Sequence, residues 1–158
     1  PYSIPIYRET VVLFCNDKAL TIPREKFPID FVGLTIGVNA GFLLSDRLMD
    51  AANRGVVKLE PAKGNEANIE KLALNRIDCY ASDRAAALYS ARRLPPYFKG
   101  ANFRLRETVE LSGEDTFIGY SVKNNPSYKA DFITKMNSVL ERMKMDGDIE
   151  RIEKDYLQ

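Results

Sequence analysis

Histidine is absent from the 158 residues, and cysteine occurs only twice. The lack of histidine removes the commonest general base, the most frequent metal ligand and the usual pH switch. Two cysteines cannot complete a zinc site by themselves, so the sequence predicts neither a metal nor a cofactor. Cys15 and Cys79 both lie in apolar, strand-like runs, which predicts buried free thiols. A disulfide between them stays open, because spacing does not give geometry, and the redox compartment stays undecided.

One-sided charge and long apolar runs are missing as well. The chain has 23 basic and 22 acidic residues and a net charge of +1, which gives no long-range field for nucleic acid or an anionic membrane. No apolar run approaches the roughly 20 residues that span a bilayer, and no signal peptide is visible, because Pro1 opens inside folded-looking sequence. The length and the apolar share of 45% are typical of one soluble globular domain with a real core.

Strand and helix patterns alternate in the first part of the chain. Residues 8–15 (RETVVLFC), 34–38 and 56–60 are predicted strands, and Ser45 is predicted to cap a helix over residues 46–54. This alternation predicts an α/β fold: a mostly parallel sheet with right-handed crossovers and flanking helices.

The stretch at residues 67–93 organises the rest of the chain. Residues 77–81 are predicted to form a buried strand between two helices, and Ser82 or Asp83 to cap the second helix. Asp83 therefore lies where a strand ends and a helix begins, which is the ligand-binding edge of open α/β sheets. A carboxylate at this edge can receive an ammonium group. The inward face of the second helix is predicted to carry Ala85, Leu88 and Tyr89.

The pattern weakens after the Pro95-Pro96 pair. Residues 117–122 are predicted to form a short strand, a long helix to start at residues 124–126 and end at Gly147, and Asp148 to cap a final helix. The apolar residues of the long helix follow helical spacing. They are Phe132, Met136, Val139 and Met143.

Four segments resemble, in this order, the family 3 extracellular solute-binding proteins, which serve importers of polar amino acids. The first is Pro1-Tyr2 followed by the strand run already described, and the second is DFVGLTIGVNAG at residues 30–41. The third is NRIDCYASD at residues 75–83, and the fourth is the run at residues 137–156, which contains MKMDGDIERI. Each motif is weak alone, but their order and spacing extend over the whole chain.

The resemblance implies the second lobe of a type II periplasmic-binding fold plus C-terminal helices. Residues 1–12 would be the first hinge segment, 13–114 the ligand-binding lobe, 115–123 the return hinge strand, and 124–158 helices that pack on the first lobe. That first lobe would precede this chain, which is then a truncated chain or a proteolytic fragment. Family membership implies export to the periplasm, with a signal peptide outside this chain.

The resemblance also implies ligand-binding residues. Asp83 would hold the α-ammonium group of a ligand, with a plain helix N-cap as the alternative, and Asn39 would be a second contact. Gly41 opens a turn before a helix N-terminus, where N–H groups can bind a carboxylate. The family places Ser or Thr next, whereas this chain has Phe42 and Leu43, which favours a more apolar ligand or a lost site. The alternative is that Phe42 and Leu43 staple the helix start to the core.

These observations predict a substrate-binding component of an ABC importer for amino acids or related small polar solutes, with no catalytic residues. One alternative is a solute-sensing input domain, which a transmembrane helix after Gln158 would favour. A periplasmic dehydratase-like enzyme is less favoured, because Asp83 would be its only cleft acid. The expected partners are the solute, an inner-membrane permease and, through the orphaned helices at residues 124–158, a second copy.

Overall fold

The computed structural model describes residues 1–42, 45–95 and 103–157. The regular elements within these ranges are, in chain order, β1 (Tyr7–Cys15), β2 (Thr35–Asn39), α1 (Asp46–Asn53), β3 (Lys58–Ala62), α2 (Gly64–Ala73), β4 (Cys79–Asp83), α3 (Arg84–Arg93), β5 (Arg106–Thr116), α4 (Lys129–Met145) and α5 (Asp148–Leu157). Two short 3-10 turns lie between β1 and β2.

The strands form one sheet in the order β3-β2-β4-β1-β5. Strand β2 pairs in parallel with β3 and with β4, and β1 runs antiparallel to β4. Helices α1, α2 and α3 connect or follow the parallel strands. The predicted α/β class, a mostly parallel sheet with flanking helices, is confirmed.

Strand β1 is buried on both faces, which explains its continuous apolar run. Val12 and Phe14 pack with residues of α2 and α3, whereas Leu13 and Cys15 pack in a separate cluster with residues of α1. Alternate residues of a strand point to opposite faces, so a strand covered on both sides needs apolar residues throughout. The two layers place α1 on one side of the sheet and α2 with α3 on the other.

The prediction of free thiols is wrong. Cys15 and Cys79 stand directly opposite each other in the antiparallel pair of β1 and β4, with their Cα atoms 4.0 Å apart, and their sulfur atoms are bonded. Both side chains are buried, as predicted. The pairing was not readable from the sequence because β1 and β4 are separated by two other strands along the chain.

The chain divides into two compact units. We call Thr10–Gly113 the central unit, and Pro1–Glu9 together with Glu114–Gln158 the terminal unit. In the terminal unit, backbone bonds join Ser3 N–H to Ile118 O at 3.0 Å and Tyr120 N–H to Pro1 O at 2.9 Å. The assignment of hinge and lobe roles to these segments stays a prediction.

Several predicted elements differ from the structure. Residues 117–122 do not form a strand; they contribute an isolated bridge between Tyr2 and Gly119, because β5 extends through the polar residues up to Thr116. Strands β3 and β4 each lie two residues further along the chain than predicted. The buried residues of α3 are Ala87 and Ser90, not Ala85 and Tyr89.

Candidate functional site

The carboxyl ends of the parallel strands meet at one edge of the sheet in the central unit. Strand β2 ends at Asn39, β3 at Ala62 and β4 at Asp83. The β2–β4 register pairs Gly37 with Tyr80, and its continuation brings Asp83 level with the residue before Gly41. The structure therefore brings Asn39, Gly41 and Asp83 to the same edge, as expected for parallel strands.

Asp83 uses only one of its carboxylate oxygens within the protein. It is the N-cap of α3, and its Oδ1 accepts a hydrogen bond from Ala86 N–H at 2.7 Å. Its Oδ2 is buried and has no hydrogen-bond partner among the described residues. A buried polar atom without a partner costs free energy that a donor would recover. Oδ1 thus caps the helix, and Oδ2 keeps an acceptor position that the described residues leave unfilled.

Gly41 and Phe42 form an exposed turn directly after β2. Gly41 has a φ of +80°, which favours glycine, and the N–H group of Phe42 donates to Asn39 O at 3.3 Å. The Phe42 side chain is 70% exposed, so it does not staple the helix start to the core, and that alternative is wrong for Phe42. Leu43 lies outside the described residues.

The N-terminus of α1, which follows this turn, is already capped. The hydroxyl of Ser45 accepts from Leu48 N–H at 3.2 Å, as predicted for the cap residue. Asp46 places a carboxylate in the first turn of the same helix. One N–H group is thus occupied and a negative charge is present, so this helix start is a weaker anion site than an uncapped one.

Asn39 belongs to a network of polar side chains that the sequence analysis missed. We call it the asparagine network. Asn39 Nδ2 donates to Asn65 Oδ1 at 2.6 Å, and Asn39 Oδ1 accepts from Asn68 Nδ2 at 2.9 Å and lies 3.1 Å from the Tyr80 hydroxyl. The amide nitrogen of Asn39 carries two N–H groups, so one of them remains for a ligand. The members of the network are Asn39, Asn65, Asn68, Tyr80 and Ser90.

A signal for this network was present in the sequence. Asn65 and Asn68 lie three residues apart on α2, and Asn68 is next to Ile69 on the helix face that packs into the core. Asn68 is 0% exposed, and its two amide N–H groups face three acceptors, which are Val38 O, Gly64 O and Asn39 Oδ1. A polar residue on the apolar face of a helix indicates a buried hydrogen-bond partner.

Tyr80 is the titratable member of the asparagine network, and it is buried. It is 0% exposed, and burial raises the pKa of its hydroxyl to about 12 from the ordinary 10.0. The neutral hydroxyl lies 2.6 Å from Asn65 Oδ1 and can donate there. Tyr80 therefore serves as a fixed donor inside the network at physiological pH.

Gly37 allows α2 to approach the sheet at this point. A Cβ atom at position 37 would lie 2.6 Å from Asn68 Oδ1 and 2.5 Å from Ile77 Cδ1. Both distances are shorter than side-chain carbon contacts allow, so any larger residue would displace the network. Close packing against α2 thus explains why the second motif has a glycine at position 37.

A cavity of about 230 Å³ lies in the terminal unit, apart from these residues. Its walls include Tyr120, Tyr128 and Phe132, and the ammonium group of Lys129 donates to Asn124 O at 3.3 Å beside it. None of the predicted site residues lines this cavity. Within the described ranges, no group of three acidic or cysteine side chains could hold a metal ion, and no helix has the length and apolarity to cross a membrane.

No protein-family model and no curated protein matches the sequence, but solved structures do. Substrate-binding domain 2 of Lactococcus lactis GlnP is similar with a TM-score of 0.67 and 16% identity, over 99% of this chain and 62% of its own. The GluR0 ligand-binding core in complex with L-glutamate gives 0.67 and 17%, over 99% and 63%. An ancestral arginine-binding protein bound to arginine gives 0.64 and 20%, over 99% and 64%.

The chain thus spans less than two thirds of the length of each of these structures. All three are described by the solute or substrate that they bind. At such low identities the likeness establishes the fold, and the chain has the fold of the amino-acid-binding proteins that its motifs resemble.

Proposed function

We propose that this chain is the larger part of a two-lobed protein that binds an amino acid or a related small polar solute and delivers it to an ABC importer. The observation that carries the proposal is Asp83, whose Oδ2 is buried at the carboxyl edge of the parallel strands and has no hydrogen-bond partner in the part of the chain that the structure describes. The fold shared with amino-acid-binding proteins supports the same conclusion. Binding without catalysis is proposed.

Asp83 would receive the ammonium group of the solute. A partly desolvated ammonium group needs a charged acceptor, and such charge-assisted hydrogen bonds are about twice as strong as neutral ones. The N-terminus of α3 favours the ionised carboxylate at this position. Because Oδ1 already accepts from Ala86 N–H, the carboxylate orientation is set before the ligand arrives.

The turn after β2 would form the other side of the site. We propose contacts from Asn39, through its remaining N–H, and from the backbone of Gly41. Phe42 and Leu43 replace the hydroxyl residues of the family, and the exposed Phe42 ring suits an apolar group of the solute. With Asp46 in the first turn of α1, a solute with a single carboxylate fits better than a dicarboxylate.

The finer biological setting is part of the proposal. The disulfide between Cys15 and Cys79 supports an oxidising compartment such as the periplasm, because cytosolic thiols stay reduced. The inner-membrane permease would recognise the closed form, and closure requires that the solute contact both lobes. The missing third of the fold would supply the first lobe.

The helices of the terminal unit have apolar residues that need a cover. Exposed side chains include Phe132, Val139 and Met145 on α4 and Ile152 and Tyr156 on α5. We propose that the first lobe covers them in the complete protein and that a second copy covers them when this chain is alone. Analytical ultracentrifugation of the 158-residue chain tests this, and a monomer at micromolar concentration would contradict it.

The test of function is isothermal titration calorimetry of the complete gene product with each proteinogenic L-amino acid. We expect at least one to bind, and Asp83→Asn to weaken that binding about 10- to 100-fold through the loss of a charge-assisted bond. The matched control is Asp50→Asn, which removes one negative charge from an exposed position on α1. Absence of binding by all of them, or equal losses in both variants, would contradict the proposal.

A further inference from the structure

A continuous chain of hydrogen bonds joins the two predicted ligand residues Asn39 and Asp83. Asn39 Nδ2 donates to Asn65 Oδ1 at 2.6 Å, and Asn65 Nδ2 donates to Ala86 O at 3.3 Å. Ala86 N–H in turn donates to Asp83 Oδ1 at 2.7 Å. Ala86 is therefore held at both backbone polar atoms, by Asp83 on one side and by Asn65 on the other.

We propose that Asn65 is a positioning residue for the solute site, which holds the carboxyl end of β2 and the first turn of α3 in a fixed arrangement. The inference rests on the proposed function for its ligand, but the positioning itself is a property of the ligand-free protein. Asn65 lies on neither of the two elements that it joins, because it belongs to the first turn of α2.

The bonding capacity of Asn65 is fully used, which makes the role specific to asparagine. Its Oδ1 faces two donors, Asn39 Nδ2 and the Tyr80 hydroxyl, and its Nδ2 donates to Ala86 O and to Ser90 Oγ at 3.0 Å. An asparagine side chain offers two acceptor positions and two donors. An aspartate would lose both donors, and an alanine would leave polar groups on three elements without partners.

The geometry of α3 matters for ligand binding because its N-cap is Asp83. A carboxylate positions a ligand only as well as its own backbone is held. If the first turn of α3 opened, Oδ1 would lose its bond to Ala86, and the direction of Oδ2 would no longer be fixed. Asn65 prevents this from the side of the sheet, where Tyr80 and Asn39 fix its own orientation.

The matched pair of variants is Asn65→Ala and Asn68→Ala. Both remove an amide of the asparagine network from the same face of α2, half-buried at Asn65 and buried at Asn68, but only Asn65 bonds to α3. We expect both to lower stability. Only Asn65→Ala should accelerate hydrogen exchange of the Ala86 amide, by about tenfold relative to amides in the centre of the sheet.

Exchange is measured by NMR on the ligand-free chain, so the outcome is independent of solute binding. Equal protection of Ala86 in the two variants would overturn the inference. If Asn65→Ala does not fold, the positioning role of Asn65 is tested by NMR on the wild-type protein. The side-chain amide protons of Asn65 should then exchange slowly and show contacts to Ser90, and rapid exchange without those contacts would overturn the inference.

Calorimetric titration of the complete gene product with L-arginine and L-glutamine tests whether Asn65 affects solute binding. Where either binds, Asn65→Ala should weaken binding about tenfold, and its effect should be smaller when Asp83→Asn is already present. Fully additive effects would show that Asn65 does not act through Asp83. If neither amino acid binds the wild-type protein, these solutes are excluded, and the Ala86 result still decides the positioning role.

Discussion

Reduction of the disulfide between Cys15 and Cys79 should remove a large part of the stability of the central unit. The bond joins residues 64 positions apart in the sequence. For a closed loop of that length, the chain-entropy relation gives about 14 cal/mol/K, which is about 4 kcal/mol at room temperature. A domain of this kind has a total unfolding free energy of about 5–15 kcal/mol, so the reduced protein should be marginal.

Urea unfolding with and without dithiothreitol measures this effect on one and the same chain. With a slope of about 2 kcal/mol/M, the transition midpoint should fall by about 2 M on reduction. The slope should also rise, because the unfolded chain without the cross-link exposes more surface. The Cys15→Ser variant is the control, since it lacks the bond and should not respond to dithiothreitol. Equal midpoints for the oxidised and reduced wild-type protein would refute the reasoning.

Three further changes have expected outcomes. Gly37→Ala should lower the unfolding free energy measured with urea by about 1–3 kcal/mol, because the added Cβ atom would meet Asn68 and Ile77. Gly119→Ala should have little effect, because its Cβ atom would make ordinary contacts only. The unfolding free energy should fall by roughly 2 kcal/mol as pH rises from about 10 to 12, since the pKa of Tyr80 is raised in the folded state; a Tyr80→Phe variant that keeps this slope would contradict it. Phe42→Ser should leave stability unchanged within about 0.5 kcal/mol but weaken calorimetric binding of apolar amino acids, and unchanged binding would remove Phe42 from the site.

The sequence predicted those parts of the fold that depend on local pattern. The continuous apolar run of β1 and the capping of α1 by Ser45 and of α3 by Asp83 were all confirmed. These features depend on residues close together in the chain, where periodicity and side-chain chemistry act directly. The boundaries of β3 and β4 were less accurate, because strand ends are set by pairing with neighbours.

Features that depend on distant pairing were missed. The disulfide requires that Cys15 lie opposite Cys79, which follows from a strand order that alternation alone does not give. The predicted inward face of α3 was wrong for Ala85 and Tyr89, whereas Leu88 does pack against the core. Ser90, a polar residue, is buried on this face, where it bonds to Asn65. An apolar periodicity assigns serine to the surface.

The places of some candidate site residues were predicted. Asp83 was identified from its place between a strand and a helix and Gly41 from the family resemblance, and the structure puts both at one edge of the sheet. Their role in binding stays a prediction. Asn65 was not identified because it lies in a polar stretch beside Gly64 and Glu66, and Tyr80 was not identified because it fits the apolar pattern of β4. Their roles depend on side-chain contacts across three elements, which a single sequence does not contain.

The disulfide between Cys15 and Cys79 affects the orientation of Asp83. Cys79 is the first residue of β4 and Asp83 is the last. A slip of one residue between β4 and β1 would turn every side chain of β4 to the opposite face of the sheet, which would take Tyr80 out of the layer that contains α2 and α3 and turn Asp83 to the other side. With Cys15 and Cys79 joined, no such misalignment is available to the folded chain. The disulfide at the start of β4 therefore fixes the side of the sheet on which the Asp83 carboxylate, at the end of β4, lies.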